Sequence, residues 1–403
     1  MSDPPMDKVY LSDPYKVLHQ TQVVNSRHEG GSVWIRLNET IFYPENGGQS
    51  SDRGTINDLP VNDVKMIDDQ IWHQLSEELP EKVILKLDWN RRYTNMQQHT
   101  GQHILSACFK NELNIDTVSV HLGTSDTMIE LDTPGISDKQ SERIQIKANE
   151  IIRHAYPVSA MLVTQKDLIK YPVRRDVKHL GHEIRLVVIG DYDCTACGGT
   201  HVRNTAEVGL IKIIAVQNIR KHARVVARIG QHAYTYFDVL DKMSRMLAAK
   251  LSSGVSDLPA KISSLTSDMK KLRYENKKIT EKWLELLAEQ LPSQPDLGFF
   301  ELDDVTVHDL QYISSIWLDR NNVPCYFVAP GKKDGQFNFV LRTPTGSSLD
   351  GFELIRQLAD TYGLKGGGRK EFVNGVMFPK KWDAENKQRL RKALADYINK
   401  HSG

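Results

Sequence analysis

A chain of 403 residues is long enough for two or three domains, because a single hydrophobic core usually stops growing near about 250–300 residues. With 40% hydrophobic and 26% charged residues, the composition excludes a disordered or fibrous chain. The 52 Lys and Arg residues against 51 Asp and Glu give a net charge of +1, which at first sight argues against a nucleic-acid partner.

The sequence contains no signal for export or for membrane insertion. The N-terminus has no apolar core of a signal peptide, and no uncharged apolar run of about 18 residues occurs, so we expect a cytoplasmic protein without membrane contact. Four cysteines in so long a chain do not form a disulfide framework. Two of them, Cys194 and Cys197, are three residues apart, and such a pair indicates metal or redox chemistry.

Periodicity divides the chain into four predicted parts. Short β-type runs broken by turn clusters predict a β-rich, barrel-like domain over residues 1–90, and helical spacing mixed with strands predicts an α+β domain over 91–240. A helical coiled-coil linker is expected at 241–292, followed by an α/β, glycine-rich C-terminal domain at 293–403. The expected fold class is therefore α+β.

The linker carries the clearest periodic signal of the chain. From Val255 to Leu286, apolar residues recur at alternating steps of three and four, and Asn276 stands at a core position where a polar residue often sets register. Two interpretations remain open here: a dimer-forming coiled coil, or an intramolecular helical hairpin with the preceding helix at 236–251.

Two short motifs supply four nitrogen and sulfur donors. His99 and His103, in HTGQH, share one face of a predicted helix, and Cys197 and His201, in DCTACGGTHV, repeat the same spacing across a Gly-Gly turn. Three imidazoles and one thiolate favour Zn²⁺ over the harder cations. Cys194 is an alternative ligand that the sequence does not exclude, whereas Cys108 fits a buried structural thiol.

A turn-rich segment and a strand complete the candidate site. Thr40 and Gln49 flank the Gly47-Gly48 step, where paired glycines permit a ligand to approach the backbone, although a plain hairpin loop is an equal interpretation. His121 alternates with strand residues in VSVHLGTSDTMIELD, a pattern that is also typical of a structural histidine.

HTGQHILSA together with CGGTHV strongly resembles the editing domain of alanyl-tRNA synthetases and the free-standing alanyl-tRNA editing proteins of the AlaX type. TIFYPENGGQSSDRG is similar to that family's N-terminal signature, and GLKGGGRKEFVNG is similar to the glycine-rich domain that ends the synthetases. The resemblance covers nearly the whole chain, as in the long AlaX form. Asn46 stands where the family usually has a third glycine, and the C-terminal glycine run is short.

The resemblance implies a trans-editing hydrolase that deacylates tRNA(Ala) mischarged chiefly with serine, with glycine as an open second substrate, by zinc-dependent ester hydrolysis. It implies Thr40 as the partner of the serine hydroxyl, with Gln49, Gln102 and His121 as lesser candidates near the amino-acid pocket. Charging activity is not expected, because residues 1–98 are too short for a class II aminoacylation core. The alternative is a zinc-stabilised tRNA-binding protein, related to alanyl- or threonyl-tRNA synthetase editing domains, without catalysis; four protein ligands would fill a tetrahedral shell, as structural sites do.

The charge balance is uneven along the chain. Residues 361–403 hold ten basic and four acidic residues, and residues 209–237 hold five basic residues and no acid. A net charge near zero therefore excludes only a protein that is basic over its whole surface. Local basic regions can still bind a tRNA. The predicted tRNA contacts are Arg92, Arg220, Lys221, Arg224, Lys365, Arg369 and Lys370.

Overall fold

The computed structural model describes residues 7–175, 183–219 and 221–401. The chain separates into two compact units, Met1–Lys250 and Leu251–Gly403. Eight α-helices and five β-sheets occur among the described residues, which confirms the predicted α+β class. Within those ranges, no helix is both long and apolar enough to cross a membrane.

The first unit opens with a β-rich part, in which the strand order of the large sheet is β6-β5-β9-β2-β3-β8-β7. One short parallel pair, β1 with β4, lies beside this sheet. The elements are β1 (Asp7–Lys8), α1 (Val9–Ser12), β2 (Leu18–Glu29), β3 (Ser32–Leu37), β4 (Glu39–Thr40), β5 (Gly54–Ile56), β6 (Leu59–Pro60), β7 (Asp63–Ile67), β8 (Gln70–Leu75) and β9 (Lys82–Leu87).

The long strand β2 connects the two halves of this sheet. Its first half pairs with β9 and its second half with β3, and the register shifts between Val23 and Asn25. Such an irregularity bends a strand and increases its twist. In β8 and β9 every second residue is buried, as expected for strands with one face on a core.

The remainder of the first unit is α+β. A four-stranded sheet has the order β10-β11-β16-β15, and a three-stranded sheet has the order β12-β13-β14. The elements are α2 (Trp89–Leu113), β10 (Thr117–Leu122), β11 (Thr127–Leu131), α3 (Asp138–Arg153), β12 (Val158–Thr164), β13 (Glu183–Ile189), β14 (Asp193–Ala196), β15 (Ile211–Ile219), β16 (His222–Ile229) and α4 (Gln231–Lys250).

The second unit begins with the long helix predicted from the periodic signal and continues into a five-stranded sheet with the order β17-β18-β19-β21-β20. Strands β17 and β18 are parallel, and the other neighbours are antiparallel. The elements are α5 (Leu258–Gln290), β17 (Gly298–Glu301), α6 (Val307–Asn321), β18 (Cys325–Pro330), β19 (Phe337–Arg342), α7 (Gly351–Tyr362), β20 (Leu364–Arg369), β21 (Phe372–Met377) and α8 (Ala384–His401).

Candidate metal centre

Helix α2 and the loop after β14 bring four donor side chains together. His99 and His103 lie one turn apart on α2, and Cys197 and His201 lie on the loop. Their ligand atoms all lie within 4.8 Å of one another, and we call these residues the four-donor cluster. Spacing predicted these four residues and left Cys194 as an alternative to Cys197; the structure brings the four together and leaves Cys194 outside the group.

Two glycines permit close packing around the cluster, Gly101 between α2 and β16 and Gly199 between the loop and α2. A Cβ on Gly101 of α2 would lie 2.4 Å from Cγ2 of Ile229, so only glycine lets the helix pack this closely against β16. A Cβ on Gly199 would lie 2.2 Å from Cε1 of His99, where the imidazole ring now sits. Position 199 therefore has to be a glycine, because any larger side chain would occupy the place of the His99 ring.

Two of the donor separations are those expected around a tetrahedral zinc ion, and all four ligand atoms lie within 4.8 Å of one another. Sγ of Cys197 lies 3.4 Å from Nε2 of His99 and 3.3 Å from Nε2 of His201. Two ligands at the usual zinc–sulfur and zinc–nitrogen bond lengths would be about 3.5 Å apart in a tetrahedron. The three imidazoles are nearly buried and Cys197 is half-buried, so the residues present suit this ion in chemistry and in spacing.

A second set of side chains orients the imidazoles. Nδ1 of His99 lies 2.8 Å from Oε1 of Gln49, and since an amide oxygen only accepts, Nδ1 carries the proton and Nε2 is left free to bind. Nδ1 of His201 lies 3.1 Å from Oγ1 of Thr100, which leaves its Nε2 toward Cys197. The amide oxygen fixes the tautomer of His99, and the Thr100 hydroxyl, which can donate or accept, fixes the orientation of the His201 ring.

His103 has a more distant partner. Its Nδ1 lies 3.9 Å from a carboxylate oxygen of Asp193, which Arg174 holds through hydrogen bonds of 2.8 and 3.4 Å. No hydrogen-bond partner within the described ranges reaches this buried nitrogen. Sequence reasoning missed Thr100 and Asp193; the only available signal was their position beside the ligands of the two motifs.

Burial sets the protonation of the cluster. It lowers the pKa of His201 to about 3 and the pKa of His103 well below its usual value, so both imidazoles are neutral near pH 7. Burial tends to raise the pKa of Cys197, yet the neighbouring His99 and His201 hold it well below its usual value. A neutral imidazole and a thiolate are the forms that bind metals.

The loop that carries Cys197 is supported by Arg185 of β13. This side chain donates hydrogen bonds to the carbonyl oxygens of Cys197 (2.7 Å) and Gly199 (3.0 Å). Cys194 is buried instead among Val163, Ile184 and Leu186, outside the four-donor cluster. Cys108 is buried too, and burial raises its pKa to about 12, as expected for a structural thiol.

The four residues predicted near the amino-acid pocket lie in different surroundings. Gln49 contacts the cluster through His99 and donates a 2.8 Å hydrogen bond to Thr200. Thr40 is fully buried, and its Oγ1 lies 2.8 Å from Nε2 of His73 and accepts a hydrogen bond from the Phe42 amide. Gln102 is buried on α2, where it donates to Ser106, and His121 is exposed on β10.

The prediction that Arg92 contacts tRNA has to be corrected. Its side chain has no exposed surface, and its guanidinium forms a buried ion pair with Asp52. It also donates hydrogen bonds to the carbonyl oxygens of Pro14 and Ile41. A phosphate cannot reach this group, and Arg92 instead ties the start of α2 to the β-rich part of the unit.

The other predicted tRNA contacts differ in accessibility. Arg224 on β16 forms a 2.6 Å ion pair with Glu130 of the adjacent strand, so part of its charge is already neutralised. Lys221 is exposed at the turn before β16, and Arg220 lies outside the described residues. In the second unit, exposed positions on and after β20 hold Lys365, Arg369 and Lys370.

Comparison with known proteins agrees with this arrangement. Residues 184–229, which include the loop with Cys197 and His201, match the family model described as Threonyl and Alanyl tRNA synthetase second additional domain. Over 92% of this chain and 94% of the relative, the sequence is 31% identical to Alanyl-tRNA editing protein AlaX-L of Pyrococcus horikoshii. Alanyl-tRNA editing protein Aarsd1 of Danio rerio is 32% identical over 66% of each chain.

A solved structure of the C-Ala domain from Aquifex aeolicus alanyl-tRNA synthetase matches 25% of this chain and 89% of that domain, with 19% identity and a TM-score of 0.22. A TM-score this low does not bear on fold or function. Residues 184–229 thus carry the second additional domain of threonyl- and alanyl-tRNA synthetases, and two of the four donors, Cys197 and His201, lie in it. The chain belongs to the alanyl-tRNA editing protein family of the AlaX type, as its motifs predicted.

Proposed function

We propose that the protein deacylates tRNA(Ala) that carries the wrong amino acid, chiefly serine, with glycine as a second substrate. Membership in the alanyl-tRNA editing family makes it an aminoacyl-tRNA hydrolase. The observation that carries the finer proposal is the four-donor cluster, because its donor type and spacing suit zinc.

Zinc is the metal that we propose for the cluster. When bound, this ion lowers the pKa of a water ligand or polarises an ester carbonyl, either of which promotes ester hydrolysis. The contribution of the chain is orientation: Gln49 and Thr100 hold the Nδ1 side of His99 and His201, so that both Nε2 atoms face Cys197.

Selection of serine is proposed to depend on Thr40. Nδ1 of His73 lies 3.3 Å from the Ile35 carbonyl, which only accepts, so the neutral His73 presents Nε2 as an acceptor to the Thr40 hydroxyl. The Thr40 hydroxyl is fully buried and already bonds His73 and the Phe42 amide, so this proposal rests on the family resemblance and requires the pocket to open when the substrate binds. A site built to bond a hydroxyl can reject alanine strongly.

We propose that the chain has four parts, residues 1–90, 91–240, 241–292 and 293–403. The first two parts would carry out editing, and the last part would bind the tRNA. We further propose a homodimer through the linker helix and the C-terminal domain. The cytoplasmic location inferred from the sequence stays a prediction.

One observation favours a second function, a zinc-stabilised tRNA-binding protein without catalysis. Four protein donors fill a tetrahedral shell, and catalytic zinc usually keeps one position open. In that case the metal would be required for folding, and ester hydrolysis would be absent.

The test combines metal analysis with deacylation of seryl-, glycyl- and alanyl-tRNA(Ala) by the purified protein. We expect about one zinc per chain, rapid release of serine and little release of alanine. Cys197→Ala should lose both zinc and activity. Cys194→Ala is the matched control, because that cysteine lies outside the cluster, and it should keep both.

The same assay tests the selection of serine. Thr40→Ser keeps the hydroxyl and should keep the preference for seryl- over alanyl-tRNA, whereas Thr40→Val should lose it. A protein with full zinc content that releases no amino acid would favour the non-catalytic alternative. A protein that is active without stoichiometric metal would refute the zinc site.

A further inference from the structure

A cavity of about 290 Å³ borders the four-donor cluster at His201. The N-terminal segment around Asp13 forms one wall, and strands β12 and β13 with the loop after His201 form the others. Two guanidinium groups, those of Arg185 and Arg203, line this space together with the single carboxylate of Asp13. The cavity is therefore positive next to the proposed site of hydrolysis.

Arg203 is held in place by an aromatic ring and forms one long ion pair, with Asp13. Its guanidinium stacks over the ring of Tyr15 at 4.0 Å, and its backbone amide donates to the Tyr15 hydroxyl and to Glu207. Its nearest carboxylate is that of Asp13, at 3.7 Å, which is longer than a hydrogen bond, and its side chain is 67% exposed. Aromatic stacking of this kind orders an arginine while its donors stay available.

Arg185 contributes charge from the opposite wall. Its hydrogen bonds to the Cys197 and Gly199 carbonyls place a fixed cation directly behind the metal loop. Carbonyl oxygens are neutral acceptors, so within these hydrogen bonds Arg185 keeps its charge, and the nearby Cys197 thiolate is the anion that it faces. A fixed guanidinium and an exposed guanidinium around one small space are an arrangement suited to a phosphate group.

We infer that this cavity receives the 3′-terminal nucleotide of the aminoacylated RNA, with Arg203 contacting its phosphate. This inference rests on the proposed function. If the ester bond lies at the cluster, the terminal ribose lies beside the cluster, and the 5′-phosphate of the same nucleotide lies beyond the ribose. The volume lies near the lower end of the range of about 300–1,000 Å³ that is usual for small-ligand pockets. Asp13 then acts as a competing anion that the phosphate displaces from Arg203.

The test uses two substrates, seryl-tRNA(Ala) and seryladenosine, the ester of serine with adenosine, which has no phosphate. Arg203→Gln should lower kcat/KM about tenfold on seryl-tRNA and leave it unchanged on seryladenosine, since only one charged hydrogen bond is removed. The salt dependence of kcat/KM should become shallower by roughly 0.7 in the log–log slope. Asp13→Asn should raise kcat/KM on seryl-tRNA and not on seryladenosine.

Arg143→Gln is the matched control, because Arg143 is an exposed arginine of α3 paired with Glu112 and should leave both substrates unaffected. Equal rates of Arg203→Gln and the parent on seryl-tRNA would overturn the inference, as would an equal loss on both substrates, which would indicate damage to the metal loop. Inorganic phosphate at millimolar concentration should inhibit weakly; inhibition as strong as that by uncharged tRNA would indicate a free-phosphate site instead.

If the parent hydrolyses neither substrate, the proposed function fails on its own. The affinity for uncharged tRNA(Ala), measured by fluorescence anisotropy, then still decides the inference. A weaker affinity of Arg203→Gln than of the parent supports the phosphate contact, and equal affinities overturn it.

Discussion

The buried pair of Thr40 and His73 couples the protonation of a histidine to the stability of the fold. His73 is completely buried, with Nδ1 toward the Ile35 carbonyl and Nε2 toward Thr40. Burial lowers its pKa from 6.5 to about 4, because a charged imidazole loses its water there. The pair therefore requires a neutral histidine.

We predict that His73 makes the protein less stable in acid. Between about pH 6.5 and pH 4 the unfolded chain binds a proton that the native His73 does not, so this contribution is complete above pH 6.5 and is lost as the pH falls. The loss amounts to roughly 3 kcal/mol across this window. Urea unfolding of the parent and of His73→Gln at several pH values measures it, and the variant should show the shallower decrease. Parallel decreases in the two proteins would contradict the prediction.

The residues that sequence reasoning identified are those whose partners are close in the chain. His99 with His103, and Cys197 with His201, each show a four-residue spacing that can be read directly. Asp193 could not be assigned to His103, because 90 residues of sequence and a strand pairing separate them.

Arg92 illustrates the opposite error. A basic residue at the start of a predicted helix resembles a surface charge, but Asp52, 40 residues earlier, pairs with it in the interior. Likewise, the acid-free segment around Arg224 obtains its acid from Glu130 on the neighbouring strand. Charge partners across a sheet are invisible in a linear sequence.

Among the elements, helix α5 has an apolar stripe that is exposed in the single chain. Its C-terminal part is covered where Leu284 and Ala288 pack in a core with residues of α6 and β18. The heptad seam lies on another face, and its side chains are 43–70% exposed: Ile262, Leu265, Met269, Leu272, Ile279, Trp283 and Leu286. A stripe with this period fits the same stripe of a second copy.

We predict that the protein is a dimer at micromolar concentration and that Leu272→Glu with Ile279→Glu makes it a monomer, since two charges would be buried in the seam. Light scattering after gel filtration measures the mass of each. Lys270→Glu, which changes an exposed residue of the same helix off the seam, is the control and should stay dimeric. A monomeric parent protein would show that the apolar stripe of α5 does not form a dimer interface.

Elements with a regular period could be predicted, and those that depend on long-range pairing could not. Helix α5 occurs where its periodic pattern placed it. The division of β2 between two neighbours could not be read from its sequence, because its shift at Val23 depends on β9 and β3 together.

At the scale of the whole molecule, positive charge is concentrated toward the C-terminus. Some of those basic residues are engaged, as in the pairs of Lys387 with Glu301 and Arg389 with Glu385. Lys365, Arg369 and Lys370 are exposed, and no ion pair of theirs is found within the described ranges. They are the basic residues of this region most available to a phosphate backbone.

We predict that Lys365→Ala/Arg369→Ala/Lys370→Ala weakens binding of tRNA(Ala) by about tenfold or more at low salt and flattens its salt dependence, because up to three phosphate contacts are lost. Hydrolysis of seryladenosine should not change. The paired Lys387→Ala/Arg389→Ala variant is the control and should bind more nearly like the parent. An unchanged affinity of the triple variant would place tRNA binding elsewhere.

The four-donor cluster also joins two distant points of the chain, since its halves are separated by 98 residues between His99 and Cys197. A metal bound by both halves would stabilise the folded chain by its binding free energy, because the unfolded chain does not hold the four donors together. The proposed metal would therefore couple the stability of the fold to the supply of metal.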